Sequence, residues 1–116
     1  MNNVKVTHIS YQTAKALIEF CPELPEPMEH SYISPEGVVY ITIAPSSSDR
    51  PCYYLHDLLS KPFCEAFVTA GKLKQGISED LAETTLQDWP EVIGKIYFDD
   101  GLPAVEACLM KMIGGK

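Results

Sequence analysis

The clearest structural signal in the chain is its end, residues 100–116, which read DGLPAVEACLMKMIGGK. Pro103 suits the first turn of a helix, where the missing N–H costs no hydrogen bond. Apolar residues then recur at steps of three and four, the spacing of one helix face. They are Ala104, Val105, Cys108, Leu109, Met112 and Ile113. Gly114-Gly115 permits the left-handed backbone that ends many helices, so the pattern predicts one complete amphipathic helix.

This helix needs a surface to pack on, because a helix of about a dozen residues is only marginally stable alone in water. The segment just before it, residues 93–98, reads IGKIYF and is typical of a β-strand. Asp99-Asp100-Gly101 between the two predicts a turn, since glycine tolerates positive φ and aspartate bonds locally to the backbone. We therefore expect a final strand followed by a helix that lies across the sheet.

The first part of the chain predicts a helix, a proline-rich loop and a β-hairpin. Ser10 is a good N-cap for a helix that ends before Pro22. Residues 21–29 hold three prolines and predict an extended, structured connector. Residues 30–44 predict a hairpin, because Pro35-Glu36-Gly37 separates two arms rich in β-branched and aromatic residues. In addition, residues 4–9 fit a short strand or an ordered lead-in, residues 44–51 a loop, and residues 52–55 a short strand.

Apolar residues at helical spacing continue through residues 56–71. Pro62 should kink this helix or split it, with the second piece starting near Lys61. Gly71 is the expected stop, and residues 73–76 are the expected linker.

A third helix is predicted from Ser78, which can cap it. Glu79 and Asp80 then occupy the first turn, where negative charge is favourable. We expect this helix to end near Asp88, where Trp89-Pro90 closes it.

These elements do not alternate regularly between strand and helix, so a doubly wound parallel sheet is not expected. The predicted fold class is α+β, with a small, mostly antiparallel sheet of three to four strands and helices packed on it. The chain of 116 residues has the size of one domain and shows no internal repeat. We therefore predict a single domain over residues 1–116.

The strand–turn–helix ending, with Pro103-Ala104-Val105-Glu106-Ala107-Cys108-Leu109, resembles the ending of many small uncharacterised α+β proteins of phages and mobile elements. The stretch Tyr53-Tyr54-Leu55-His56-Asp57-Leu58-Leu59 is similar to the mid-chain turn into a helix in that group. At Leu102 and Ala104 the chain departs from the Thr and Glu that are usual there. The resemblance implies a small α+β fold, and it transfers no functional residue.

Sixteen acidic residues against nine basic ones give the chain a net charge of −7. Direct binding of nucleic acid needs a basic footprint and is therefore not expected, and the same holds for anionic membrane surfaces. The acids concentrate towards the C-terminal side, between Gly76 and Glu106. Either they are a solvated helix face, or they form a surface for a basic partner. The residues we assign to such a surface are Glu79, Asp80, Glu83, Asp88, Glu91, Asp99 and Asp100.

Four cysteines are widely spaced and contain no C-x-x-C pair, which favours buried thiols in a reducing compartment. Cys52 and His56 are four positions apart, and Cys64 follows eight later, so a zinc site or a thiol nucleophile with these residues is an alternative. Structural zinc sites usually show two close pairs of ligands, and this chain has at most one. We assign no catalytic, cofactor-binding or metal-binding residue.

The absence of a long apolar run and of a hydrophobic start favours a cytoplasmic protein that does not span a membrane. Our first functional hypothesis is a non-enzymatic inhibitor or adaptor, of the kind that phages and mobile elements encode, which blocks a basic surface on a host factor. One alternative is a metal-binding or thiol enzyme that uses Cys52, His56 and Cys64. Others are a toxin-immunity protein and a structural homo-oligomer with the tyrosine-rich hairpin as interface.

Overall fold

The computed structural model describes residues 8–114, and these contain both helices and a small antiparallel sheet. The helices are α1 (Tyr11–Phe20), α2 (Leu55–Leu58), α3 (Lys61–Gln75), α4 (Glu79–Asp100) and α5 (Leu102–Gly114). The strands are β1 (Ser31–Ile33), β2 (Val39–Ile41) and β3 (Arg50–Pro51). The predicted α+β class is confirmed, although most of the ordered structure is helical.

The sheet has the order β2-β1-β3, and both pairs of strands are antiparallel. The predicted hairpin is confirmed: Tyr32 lies opposite Tyr40, and Gly37, at φ 89°, closes the turn with an N–H that donates to the Ser34 carbonyl at 2.8 Å. The turn thus needs positive φ at Gly37, which a side chain would oppose. All three residues of β1 are buried, so the central strand carries the sheet's share of the core.

The third strand is Arg50–Pro51, inside the segment that was predicted to be a loop. It pairs with β1, and the Cys52 N–H extends the ladder by donating to the Ser31 carbonyl at 2.9 Å. The strand predicted at residues 52–55 is reduced to a single bridge between Tyr54 and His8. Proline is accepted at Pro51 because β3 is an edge strand. The other strand prediction, residues 4–9, falls mostly outside the described residues.

Serine hydroxyls mark three of the helix starts. Ser10, Ser60 and Ser78 accept hydrogen bonds from backbone N–H groups of the first turns of α1, α3 and α4. The predicted starts at Ser10 and Ser78 are confirmed. Pro62 splits the middle helix as expected: proline suits the first turn of a helix, and α3 begins at Lys61.

The predicted helix stop at Gly71 and linker over residues 73–76 are wrong. Helix α3 continues to Gln75 and ends on Gly76, whose left-handed φ of 68° the cap requires. Gly71 is buried inside the helix, where a Cβ atom would stand 3.4 Å from the Ile77 side chain. Its small size therefore serves close packing, not termination.

The predicted strand over residues 93–98, and the helix end near Asp88, are also wrong. Helix α4 runs without a break from Glu79 to Asp100, through Pro90. An interior proline costs a helix roughly 3 kcal/mol. Trp89 and Ile93, four positions apart on one face, are almost completely buried, and burial of two large apolar side chains offsets that cost.

The predicted C-terminal helix is confirmed as α5, but its packing partners differ from the prediction. It lies against α4 and α1, and not on a strand. Leu102, Val105 and Leu109 are its buried residues.

An aromatic group of Phe20, Phe63, Phe67 and Trp89 fills the space under α3, with neighbouring ring centroids 5.4–6.2 Å apart. Within residues 8–114, no helix is long and apolar enough to cross a membrane.

Candidate protein-binding surface

The structure places all seven carboxylates of the predicted acidic surface on one element, α4. The predicted elements had divided them between the third helix and the turn at residues 99–101, with Glu91 in neither. Every one of these side chains is exposed. At a rise of 1.5 Å per residue, the 22 residues of α4 carry this charge along roughly 33 Å of the surface.

Burial of the opposite face holds α4 in place. Ala82, Trp89 and Ile93 point into the core, and the indole N–H of Trp89 donates to the Leu58 carbonyl at 2.6 Å. Because each residue turns the helix by about 100°, six of the seven carboxylates lie outside this stripe, while Asp100 is in line with it but lies at the exposed C-terminal end of α4. The helix is therefore anchored by one narrow apolar stripe and presents the rest to solvent.

Few bases compensate this charge. Lys95 is the single base within α4, and its ammonium lies 3.0 Å from an oxygen of Asp99. On α3, Lys72 reaches Glu79 at 2.9 Å. The other five carboxylates form no ion pair with any residue in the described part of the chain, so α4 keeps a strong negative potential along its length.

Phe98 is an unexpected part of this surface. Its side chain is 87% exposed, and it precedes Asp99 and Asp100 directly. Its exposure was not predicted, because Phe98 was assigned to the strand over residues 93–98 on which the last helix was expected to pack. Helical phase would have revealed it, since Phe98 lies nine positions after Trp89 and therefore on the opposite side of α4.

Glu106, which belongs to the same acidic stretch of sequence, has a structural role instead. Its carboxylate accepts a hydrogen bond from the Ser10 N–H at 3.1 Å and another from the Thr13 hydroxyl at 2.6 Å. It therefore ties α5 to the first turn of α1, where the helix dipole also favours an anion.

A groove of about 440 Å³ between α3 and α4 adjoins the acidic surface. Leu59, Leu86 and Trp89 form part of its apolar wall, and the Glu83 carboxylate stands at its side. Its charged lining is mixed, because Lys61 and Glu65 also line the groove and lie 3.9 Å apart.

In the described structure, Cys52, His56 and Cys64 do not come together in one cluster. Cys52 and Cys64 are buried, and desolvation raises the pKa of Cys52 to about 12 and that of Cys64 to about 11. His56 instead stacks on Tyr54 at the surface, with ring centroids 5.9 Å apart. Among residues 8–114, no three His, Cys, Asp or Glu side chains come together in a way that could hold a metal ion. A nucleophilic or ligating thiol must lose its proton, and burial opposes that loss at both residues.

Asp57 is a buried carboxylate with defined partners. Its oxygens accept hydrogen bonds from the N–H of Tyr54 at 2.9 Å and of Met28 at 2.8 Å. It therefore caps α2 and fastens the proline-rich connector to that helix, which is a structural role.

No known protein family, no curated protein and no solved structure matches this chain.

Proposed function

We propose that this protein is a small cytoplasmic inhibitor or adaptor that acts by binding a basic surface of a protein partner with α4. The excess of acidic residues suggests a basic binding partner. The chain's resemblance to phage and mobile-element proteins suggests that this partner is a host factor that the protein blocks. The supporting observation is the continuous α4 helix with seven exposed carboxylates and one lysine.

The charge of α4 gives the proposal its physical basis. Unpaired carboxylates along one helix steer a basic partner by long-range attraction and raise the rate of association. They add less to the affinity itself, because exposed ion pairs contribute little individually.

Phe98 supplies the binding affinity that the exposed carboxylates add only weakly. Exposed aromatic side chains that become buried in a partner's pocket commonly dominate the binding free energy of an interface. An aromatic ring next to Asp99 and Asp100 fits a partner site that combines an apolar pocket with surrounding lysines or arginines.

The test is capture from a lysate of the source cell on the immobilised protein, followed by elution with salt. A triple variant, Glu83→Gln, Asp88→Asn and Glu91→Gln, removes three carboxylates that have no partner in the described structure. A matched control, Glu23→Gln, Glu29→Gln and Glu36→Gln, removes three exposed carboxylates away from α4.

We expect the captured partner to elute as salt rises from about 0.1 to 0.5 M, because screening shortens the range of the attraction. The α4 variant should bind about ten-fold more weakly, and the control should bind as the wild type does. A salt-insensitive complex, or equal losses in both variants, would contradict the proposal.

Phe98→Ala separates the aromatic contribution from the charge contribution. We expect a loss of about 1–2 kcal/mol in binding free energy, with the salt dependence unchanged. The captured partner's affinity for wild type and variant, measured by calorimetry at two salt concentrations, checks this.

A further inference from the structure

The outer edge of β2 presents a row of backbone groups that other described residues leave free. The order β2-β1-β3 makes β2 an edge strand. The N–H of Thr42 donates to the His30 carbonyl at 2.9 Å, so Thr42 faces β1. Along an antiparallel strand, the backbone N–H and C=O groups of successive residues point alternately towards one side of the strand and towards the other. Since Thr42 faces β1, Val39 and Ile41 direct their N–H and C=O groups away from β1.

This edge lacks the lysine and proline residues that commonly keep natural sheet edges apart. The other edge, β3, is two residues long and consists of Arg50 and Pro51. Residues 38–43, in contrast, read VVYITI, and the side chains of Ile41 and Ile43 are 72% and 90% exposed.

The charge distribution indicates what can approach this edge. Residues 37–48, GVVYITIAPSSS, are the longest stretch of the chain without an acidic or basic side chain. Two copies of a chain with net charge −7 repel each other over most of their surfaces. No charged side chain within residues 37–48 adds to this repulsion, so β2 is a place where a second copy can come close.

We propose that two copies of this chain form a dimer by antiparallel pairing of their β2 strands. A two-fold axis at Tyr40 lets Val39 of one copy exchange backbone hydrogen bonds with Ile41 of the other, across a spacing of about 4.8 Å. The two three-stranded sheets then form one continuous sheet. Val39 and Ile41 of both copies lie on the same face of it, where β-branched side chains pack well.

Light scattering coupled to size exclusion, over protein concentrations from micromolar to millimolar, tests the pairing. We expect the mass to rise from 12.9 kDa towards twice that value. Ile41→Lys places like charges on both sides of the axis and should raise the dissociation constant about ten-fold or more. Leu73→Lys, which adds the same charge at an 82% exposed apolar position on α3, should dimerise as the wild type does.

A wild-type mass of 12.9 kDa at every concentration would overturn the dimer, and so would unchanged dimerisation of Ile41→Lys. Amide hydrogen exchange keeps the test decisive even if that variant misfolds. In the wild type, exchange at Val39 and Ile41 should slow about ten-fold or more as concentration rises, while exchange in the α4 helix stays the same. Concentration-independent exchange at both residues would also overturn the proposal. None of these measurements depends on binding by α4.

Discussion

Glu106 illustrates how one side chain can join two distant helices. It lies on α5, and its carboxylate accepts from Ser10 and Thr13 at the start of α1. Thr13 is itself buried, so its hydroxyl depends on this partner to satisfy its donor. The Glu106 carboxylate therefore makes its contacts within the protein, between α5 and α1.

Glu106→Ala should lower the free energy of unfolding by about 1–3 kcal/mol, because it leaves the Thr13 hydroxyl and the Ser10 N–H without their acceptor. Urea unfolding followed by circular dichroism measures this. Glu91→Ala, at an exposed position of α4, should stay within about 0.5 kcal/mol of the wild type. Similar losses in the two variants would show that the bridge to α1 has no energetic role.

The buried thiols make stability sensitive to alkaline pH. Burial raises the pKa of Cys52 from its ordinary value of 9.0 to about 12, with a smaller contribution from the nearby Asp57 charge. Between these two values the unfolded chain loses the proton and the folded chain keeps it, so the unfolded state binds fewer protons. Stability therefore falls as pH rises through this interval.

We expect the free energy of unfolding to decrease by up to about 1.4 kcal/mol per pH unit for this thiol above pH 9. Denaturant titrations at a series of pH values give the slope. Cys52→Ala lacks the thiol and should show a shallower slope than the wild type, whatever its stability at neutral pH. Parallel slopes would mean that Cys52 titrates alike in both states.

At the scale of elements, α4 shows that burial can outweigh a local helix breaker. Proline removes one backbone donor, yet the helix continues through Pro90. It does so because Trp89, just before the proline, and Ile93, three positions after it, are both buried in the core. The Trp89 hydrogen bond to Leu58 fixes the register of this contact. The same continuity brings Phe98 and all seven carboxylates onto one helix.

Two glycine substitutions test the helix assignments, one inside α4 and one at the end of α3. Gly94 lies inside α4, and a Cβ atom added there would meet no described atom within 4 Å, so Gly94→Ala should raise the free energy of unfolding by about 0.5–1 kcal/mol. Gly76 caps α3 at φ 68°, so Gly76→Ala should lower it by about 1 kcal/mol. Thermal unfolding by calorimetry checks both. Two changes of the same sign would contradict the assigned boundaries.

At the scale of the whole molecule, the acidic surface has a cost in stability. Carboxylates along α4 repel one another, with Lys95 and Lys72 as their described counter-charges. Because salt screens exposed charges, this repulsion should weaken as ionic strength rises.

We expect the free protein to gain about 0.5 kcal/mol in unfolding free energy between roughly 10 and 150 mM sodium chloride. The triple variant Glu83→Gln, Asp88→Asn and Glu91→Gln should gain less over the same range, because fewer like charges remain. Urea unfolding at the two salt concentrations measures this difference. An equal gain in both proteins would place the repulsion elsewhere on the surface.

Local chemistry allowed several features to be predicted from the residues alone. Serine caps at Ser10 and Ser78, the break before Pro62 and the turn at residues 35–37 depend on neighbours within a few positions. The acidic residues of the candidate surface were also identified correctly as exposed. In each case a side chain and the backbone beside it decide the outcome.

The sequence by itself thus determined where most helices and the hairpin begin, and that the chain carries excess negative charge. Tertiary structure alone decided that residues 93–98 continue a helix, that α3 passes Gly71, and that Glu106 is engaged while Phe98 is exposed. The physical reason is that a short apolar run fits a strand or a helix equally well. Only burial against residues far away in the chain, such as Leu58 against Trp89, selects between them.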